Sequence, residues 1–333
     1  IFFVICLTFS TSLLSFLNPQ LHGEDEALTF LVNESLTNHI SNFNLTAIAS
    51  ELLKDWHPPG RNLLPILSLN IFGLNLSSLR LPYLLIWIIT CILATLITKK
   101  YSNNLFAFTC GFLLGGSGLF HIQIMALSHG VVTFVGMLII YLITRNEYLI
   151  SKKISSKQFL TLSIILYIGF LFFNTLILVA FMLHLIQFFL IIKYKNIRTE
   201  LRNFILISLL ITSLYIIYFL IFLGIPYLMV NSQEFIFFLQ KSFQISDFGN
   251  WDGKIFGQLH QYTIRSENSK FNFLSILENI RYLNWHFFPF LSVIIIIFGI
   301  ITLWTNFKLI LVLFTPYFII TNFYMIGNTA QHF

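Results

Sequence analysis

Apolar residues in this chain come mostly in long unbroken runs. Residues 1–17, 79–98, 204–224, 287–304 and 308–324 form such runs, and each approaches the roughly 20 apolar residues an α-helix needs to cross a bilayer. Two longer runs, 101–144 and 159–192, are apolar throughout and bounded by bases at both ends. Lys99 and Lys100 precede the first; Arg145, Lys152, Lys153 and Lys157 separate the two; Lys193, Lys195, Arg198 and Arg202 follow the second. Short basic loops stay on the cytoplasmic side of a membrane. Two loops on one side enclose an even number of crossings, so each long run is expected to be a pair of helices. The turns are expected near Gly115-Gly116-Ser117-Gly118 and near Asn174-Thr175. The second pair must fit within residues 159–192, so its helices must be short or its turn buried. The pattern therefore predicts an all-α polytopic membrane protein, a single transmembrane domain over 1–333 with about nine crossings.

Two segments break the apolar pattern, 18–78 and 225–286, and the topology puts both outside. Within the first, Leu45, Ile48, Ala49, Leu52, Leu53 and Trp56 recur at helical spacing. They predict an amphipathic helix lying on the membrane surface, with Asn44 or Ser41 as N-cap. It runs into Asp55-Trp56-His57-Pro58-Pro59-Gly60-Arg61, where two prolines stop a helix and hold an extended turn.

Composition agrees with the pattern. Of 333 residues 57% are hydrophobic and only 10% charged, with mean hydropathy +0.83. A soluble domain carries about 25% charged residues, so a water-soluble globular enzyme is excluded. The formal charge of +6 would suit nucleic acid, but its distribution does not. The cytoplasmic loops hold most of the 19 bases and only Glu147 and Glu200 of the 13 acids, and the outer segments are mildly acidic. No charged residue falls in the middle of a span, which argues against an ion-driven carrier. Residues 1–17 lack the basic start and small-residue cleavage site of a signal peptide and read as a retained helix. The chain opens inside an apolar run and stops at Gln331-His332-Phe333, as a piece truncated at both ends would. Cys6, Cys91 and Cys110 lie in apolar stretches without metal-ligand spacing.

Chemistry gathers in the outer segments. The first opens with Gly23-Glu24-Asp25-Glu26-Ala27. Mutual repulsion of three adjacent carboxylates suits a general base or a divalent cation, and acids also favour the first turn of a helix. His57 and Arg61 are expected beside them at headgroup depth, where a cation and an imidazole suit a phosphate. His129 near the outer end of the fourth span could touch a substrate or bond between helices. His184 and Gln187 are expected to be helix–helix contacts. In the second outer segment, Trp251, Tyr262, Trp285 and His286 mix with Asp247, Asp252 and Glu267. Such a mixture suits sugar binding or an interfacial belt. The patterns Asn33-Glu34-Ser35, Asn44-Leu45-Thr46 and Asn75-Leu76-Ser77 match glycosylation acceptors, and chance accounts for them in so Asn-rich a chain.

The order of a first span, GEDEALTF, an amphipathic helix, HPPG and FGLNLSSLRLPYLL resembles the polyprenyl-phosphate-sugar-dependent glycosyltransferases of the GT-C superfamily. Within them it is most similar to the dolichyl-phosphate-mannose protein mannosyltransferase-like group, which includes the bacterial lipid A aminoarabinose transferase. The shared elements are Asp25-Glu26, Pro58-Pro59, Phe72-Gly73 and Arg80-Leu81-Pro82, best matched over residues 1–145. The resemblance implies inverting transfer of a sugar from a polyprenyl-phosphate donor to a lipid, glycan or protein acceptor at the outer face of a bacterial cytoplasmic membrane. It implies Asp25 as the base and Glu26 as holder of the acceptor, the base or a divalent cation. It implies His57 and Arg61 as ligands of the lipid phosphate, and puts Arg80 and His129 among the substrate-binding residues. Where some members carry a second acid in the turn between the third and fourth spans, this chain has His121, Gln123 and His129. A flippase or carrier of lipid-linked glycans is the alternative and would need a polar path through the bundle. A polymerase or ligase would be expected to place basic residues in its outer loops.

Overall fold

A computed structural model describes residues 4–6, 24–54, 60–115, 129–145, 154–173, 176–192, 197–221, 225 and 308–319. Every regular element among the described residues is a helix. They are α1 (Glu24–Ser41), α2 (Leu45–Lys54), α3 (Gly60–Phe72), α4 (Leu76–Tyr101), α5 (Asn104–Gly115), α6 (His129–Arg145), α7 (Ser156–Phe170), α8 (Leu176–Ile192), α9 (Ile197–Phe219) and α10 (Lys308–Ile319). By length and composition, α4 and the stretch Arg198–Phe219 of α9 are long and apolar enough to cross a membrane. Shorter apolar helices occupy Asn104–Gly115, Gly130–Arg145, Ser156–Phe170 and Leu176–Ile192. The run at 287–304, almost all of 1–17, and the second outer segment with its aromatic and acidic residues lie outside the described residues.

Local chemistry sets the helix ends. Glu24, Asp25 and Glu26 occupy the first turn of α1, where the exposed N–H groups favour negative charge. The Asn44 side chain accepts from the Ala47 N–H at 3.1 Å, capping α2. Asn75 does the same for α4, accepting from the Ser78 N–H at 2.8 Å, immediately after Gly73, whose φ of +87° suits only glycine. At its other end α4 carries Lys100, whose ammonium donates to the last carbonyls of α6, Thr144 and Arg145. A cation there satisfies orphan carbonyls and offsets the negative end of the helix dipole.

The first long apolar run contributes α5 and α6, and its expected turn at Gly115–Gly118 lies almost wholly outside the described residues. The second breaks after Phe170, where Leu171 and Phe172 form a turn before α8 begins at Leu176. In the second run the helices are indeed short: α7 and α8 have 15 and 17 residues, about 22–26 Å at 1.5 Å per residue. Of the described residues between them, Phe173 is 1% exposed and Leu171 and Phe172 are partly buried, while Asn174 and Thr175 lie outside the described residues. Leu171 meets the start of α3, where the Gly60 N–H donates to its carbonyl at 2.9 Å.

Around α4 pack α3, α5 and α6, and α7, α8, α9 and α10 continue the bundle. One core stripe on α6 is Val131, Val135, Ile139 and Ile143, a residue every turn, which meets Leu79 and Tyr83 of α4 and Phe159 and Leu166 of α7. His184 makes the helix–helix contact expected of it, and Gln187 instead bonds the segment just before α7. The His184 ring sits edge-on to Phe159 at 4.9 Å, and the Gln187 amide donates to the Ile154 carbonyl at 3.2 Å.

Close approach at Gly60 is specific. A methyl there would stand 2.5 Å from the Leu171 oxygen, a backbone atom with little freedom to move. At Gly136 the nearest atom, on Phe314, would be 3.9 Å away. Gly60→Ala is therefore predicted to destabilise the protein by about 1–3 kcal/mol, as overpacking does, whereas Gly136→Ala, in a helix interior, should be neutral or stabilising by up to about 1 kcal/mol. Equilibrium unfolding of the two variants in the same detergent measures the contrast.

Candidate functional site

Three polar residues of α1 fall on one face. Glu26, Thr29 and Asn33 stand about one helical turn apart, and all three are buried. Opposite them come Arg61 and Asn62 from the first turn of α3, and Arg80 and Tyr83 from α4, also buried.

The strongest interaction in this cluster joins Glu26 to Arg80 across 54 residues of chain. Arg80 Nε donates to Glu26 Oε1 at 2.7 Å and Nη2 donates to Oε2 at 2.8 Å, with both side chains 0% exposed. Two parallel N–H···O bonds use the planar fork of the guanidinium in full, a geometry a lysine does not reproduce. Beside it, Arg61 Nε donates to Thr29 Oγ1 at 2.6 Å. The Asn33 amide donates to the Thr29 carbonyl at 2.8 Å and to Asn62 Oδ1 at 3.4 Å. Two guanidinium groups and a carboxylate thus lie at the seam of three helices, each in contact with a named partner.

Pro65 explains one further bond. It lies inside α3 and has no N–H, so the carbonyl of Arg61 loses its normal helical donor. The Tyr83 hydroxyl supplies the replacement, donating to the Arg61 carbonyl at 2.9 Å. The same tyrosine belongs to the main apolar core. It therefore ties the α3 turn that bears Arg61 to the body of the bundle.

The candidates named from sequence divide as follows. Glu26, Arg61 and Arg80 come together. Asp25 lies in the first turn of α1, one residue before Glu26, and its side chain lies outside the described residues, as does His57. His129 opens α6, again with its side chain outside the described residues. Arg61 differs from expectation in setting: it sits not in an extended turn but in a helix that begins at Gly60, and it is 1% exposed. Glu26 offers little to a divalent cation, because both its oxygens accept from a guanidinium that would repel one. Among the described residues no three His, Cys, Asp or Glu side chains are grouped to hold a metal ion. Thr29, Asn33, Asn62 and Tyr83 were not foreseen. The signal for the first two was the helical spacing of Glu26, Thr29 and Asn33, visible once 24–41 is read as a helix.

The three glycosylation-like asparagines have structural places. Asn33 is buried in the cluster, and Asn44 and Asn75 are the helix caps described above. Comparison of the chain with protein-family models, with curated proteins and with solved structures finds no match.

Removing one partner of a buried ion pair strands the other charge, at about 3–5 kcal/mol. Glu26→Gln and Arg80→Met are each predicted to lower stability by that order, and Glu26→Leu combined with Arg80→Met to recover much of the loss. Unfolding free energies of the two single variants and a double-mutant cycle through Glu26→Leu test this. Additive losses would mean that the pair is not coupled.

Proposed function

We propose that the chain is a membrane glycosyltransferase of the GT-C type, crossing the bilayer about nine times, which moves a sugar from a polyprenyl phosphate to an acceptor hydroxyl on the side opposite the basic loops. The observation that carries this reading is the convergence of Glu26, Arg61 and Arg80. Three residues chosen for their place in separate motifs meet in one buried cluster.

In the proposed reaction Asp25 takes the proton from the acceptor hydroxyl as its oxygen attacks the anomeric carbon. The bond from that carbon to the phosphate oxygen breaks on the opposite face, and polyprenyl phosphate leaves with the electron pair, inverting the centre. Phosphate is a good leaving group, so the protein has to supply a base, cationic stabilisation and alignment. Arg61, with His57 from the preceding turn, is assigned to the phosphate. Glu26 and Arg80 are positioning residues: their bond fixes the first turn of α1 and hence the backbone that presents Asp25.

A carrier of lipid-linked glycans would need polar groups facing a path through the bundle. In the middle of α4 the hydroxyls of Thr90 and Thr95 are buried, and each donates to the carbonyl four residues earlier in its own helix rather than to a path. That arrangement favours the transferase.

The test is transfer from a panel of radiolabelled polyprenyl-phosphate sugars by membranes holding the full-length protein. Asp25→Asn is predicted to lower transfer by about 10²–10⁴-fold, the usual contribution of a general base, at unchanged protein level and stability. Full transfer by a folded Asp25→Asn variant would remove Asp25 as base. Labelled lipid crossing the bilayer without any transfer would favour the carrier.

A further inference from the structure

Helix α3 buries its charged residue and most of its polar ones, together with Pro65 and Leu69, and exposes a row of large apolar side chains beside Asn70. Its buried positions include Arg61, Asn62 and Ser68, while Leu63, Leu67, Ile71 and Phe72 are exposed, Leu67 at 69% and Ile71 at 63%. Leu63, Leu67 and Ile71 are spaced by four, so they form one row along the helix. On α1 Leu31 is likewise 60% exposed, while Glu26, Thr29 and Asn33 share the buried side with Val32 and Leu36. A helix lying against water has the opposite polarity. Polar groups turned to protein and leucines turned outward is the arrangement of a helix bounded by lipid.

Two further observations identify the occupant of this face as lipid rather than protein. Between Arg61 and Arg80 the sequence contains no charged residue at all, whereas a docking surface for a soluble partner has a polar rim. The exposed row also runs directly into α4, the longest apolar helix described. The joint is short and fixed: Gly73 N–H donates to the Leu69 carbonyl at 2.9 Å, and the Asn75 side-chain amide donates to the Phe72 carbonyl at 3.2 Å. An apolar face held this close to the start of a span stays at the membrane.

We infer that the Leu63–Leu67–Ile71 face of α3 is seated in the acyl-chain boundary of the leaflet opposite Lys99 and Lys100, with phospholipid tails as its partner. The buried cluster of Glu26, Arg61 and Arg80 then lies at or below headgroup level, shielded from bulk water by α3 itself. The inference does not depend on the transferase reading, since a carrier would present the same surface.

Acyl-chain photolabelling tests it without a mutation. The full-length protein is reconstituted in phosphatidylcholine vesicles containing a phosphatidylcholine with a diazirine in its acyl chain, irradiated, digested and mapped by mass spectrometry. A water-soluble diazirine is applied to a parallel sample. Peptides holding Leu67 and Ile71 are predicted to carry acyl label within about twofold of that on Leu85 and Ile89, exposed positions of α4, as expected for an interfacially embedded helix. Acyl label on α4 but not α3, with aqueous label on α3, would overturn the inference. Absence of both labels from α3 would overturn it as well, because another copy or another part of the chain would then cover the face.

Discussion

The Glu26–Arg80 ion pair sets the terms for the part of the molecule that bears the candidate site. Both side chains are fully buried, and desolvating two such charges carries a penalty of several kcal/mol for each. The pair persists only because its geometry returns most of that penalty: two short parallel bonds engage both carboxylate oxygens. A small rotation of α1 against α4 would break one of them and leave a charge exposed to an apolar interior. The pair therefore specifies the register of the two helices more strictly than leucine packing does, since leucines slide at little cost.

That register carries consequences outward in both directions. Toward the bundle, Tyr83 lies one turn beyond Arg80 and answers the carbonyl that Pro65 leaves open, so α3 is aligned by the helix that holds Glu26. Toward the outer turns, Gly60 places the beginning of α3 against the Leu171 carbonyl and closes the turn between α7 and α8. Helix α3 thus bridges the ion pair to a helical pair more than a hundred residues later in sequence, through a tyrosine hydroxyl and a glycine N–H. Neither is a catalytic residue, yet Arg61 keeps its place because both bonds form.

Legibility in the sequence followed the range of the interaction. The helical character of 101–144 and 159–192 was readable because runs of apolar residues and their basic boundaries are local features, and the short helices of the second run followed from its length. The cap at Asn44 was readable for the same reason. Glu26, Arg61 and Arg80 were each picked out by motif, but nothing in one sequence says that Glu26 meets Arg80. Helix α3 was missed because Pro58 and Pro59 read as an extended turn continuing to Arg61; Pro65 inside the helix leaves the Arg61 carbonyl to a tertiary donor, Tyr83. The count of crossings rests on length and charge, while two of the described helices meet the length and composition of a span.

The apolar outer row of α3 over buried Arg61 bears on why no charge appears in the middle of an apolar run. A charged pair is far less costly near the headgroup level, where water and polar headgroups reach, than at the bilayer centre. Here Arg80 lies in the second turn of α4, and Lys99 and Lys100 lie in its last, so the helix keeps its charges at its two ends and an apolar length between them. The end with the lysines meets the carbonyl end of α6. The end with Arg80 meets the carboxylate of α1. Lys100 and Arg80 are each matched to a dipolar or anionic partner supplied by a different helix, and the ends are fixed by polar bonds while the middle is left to packing. A site built at one such end inherits rigidity from the ion pair and a low dielectric from the leucines around it. Under those conditions charged groups interact most strongly with one another and with whatever polar group enters among them.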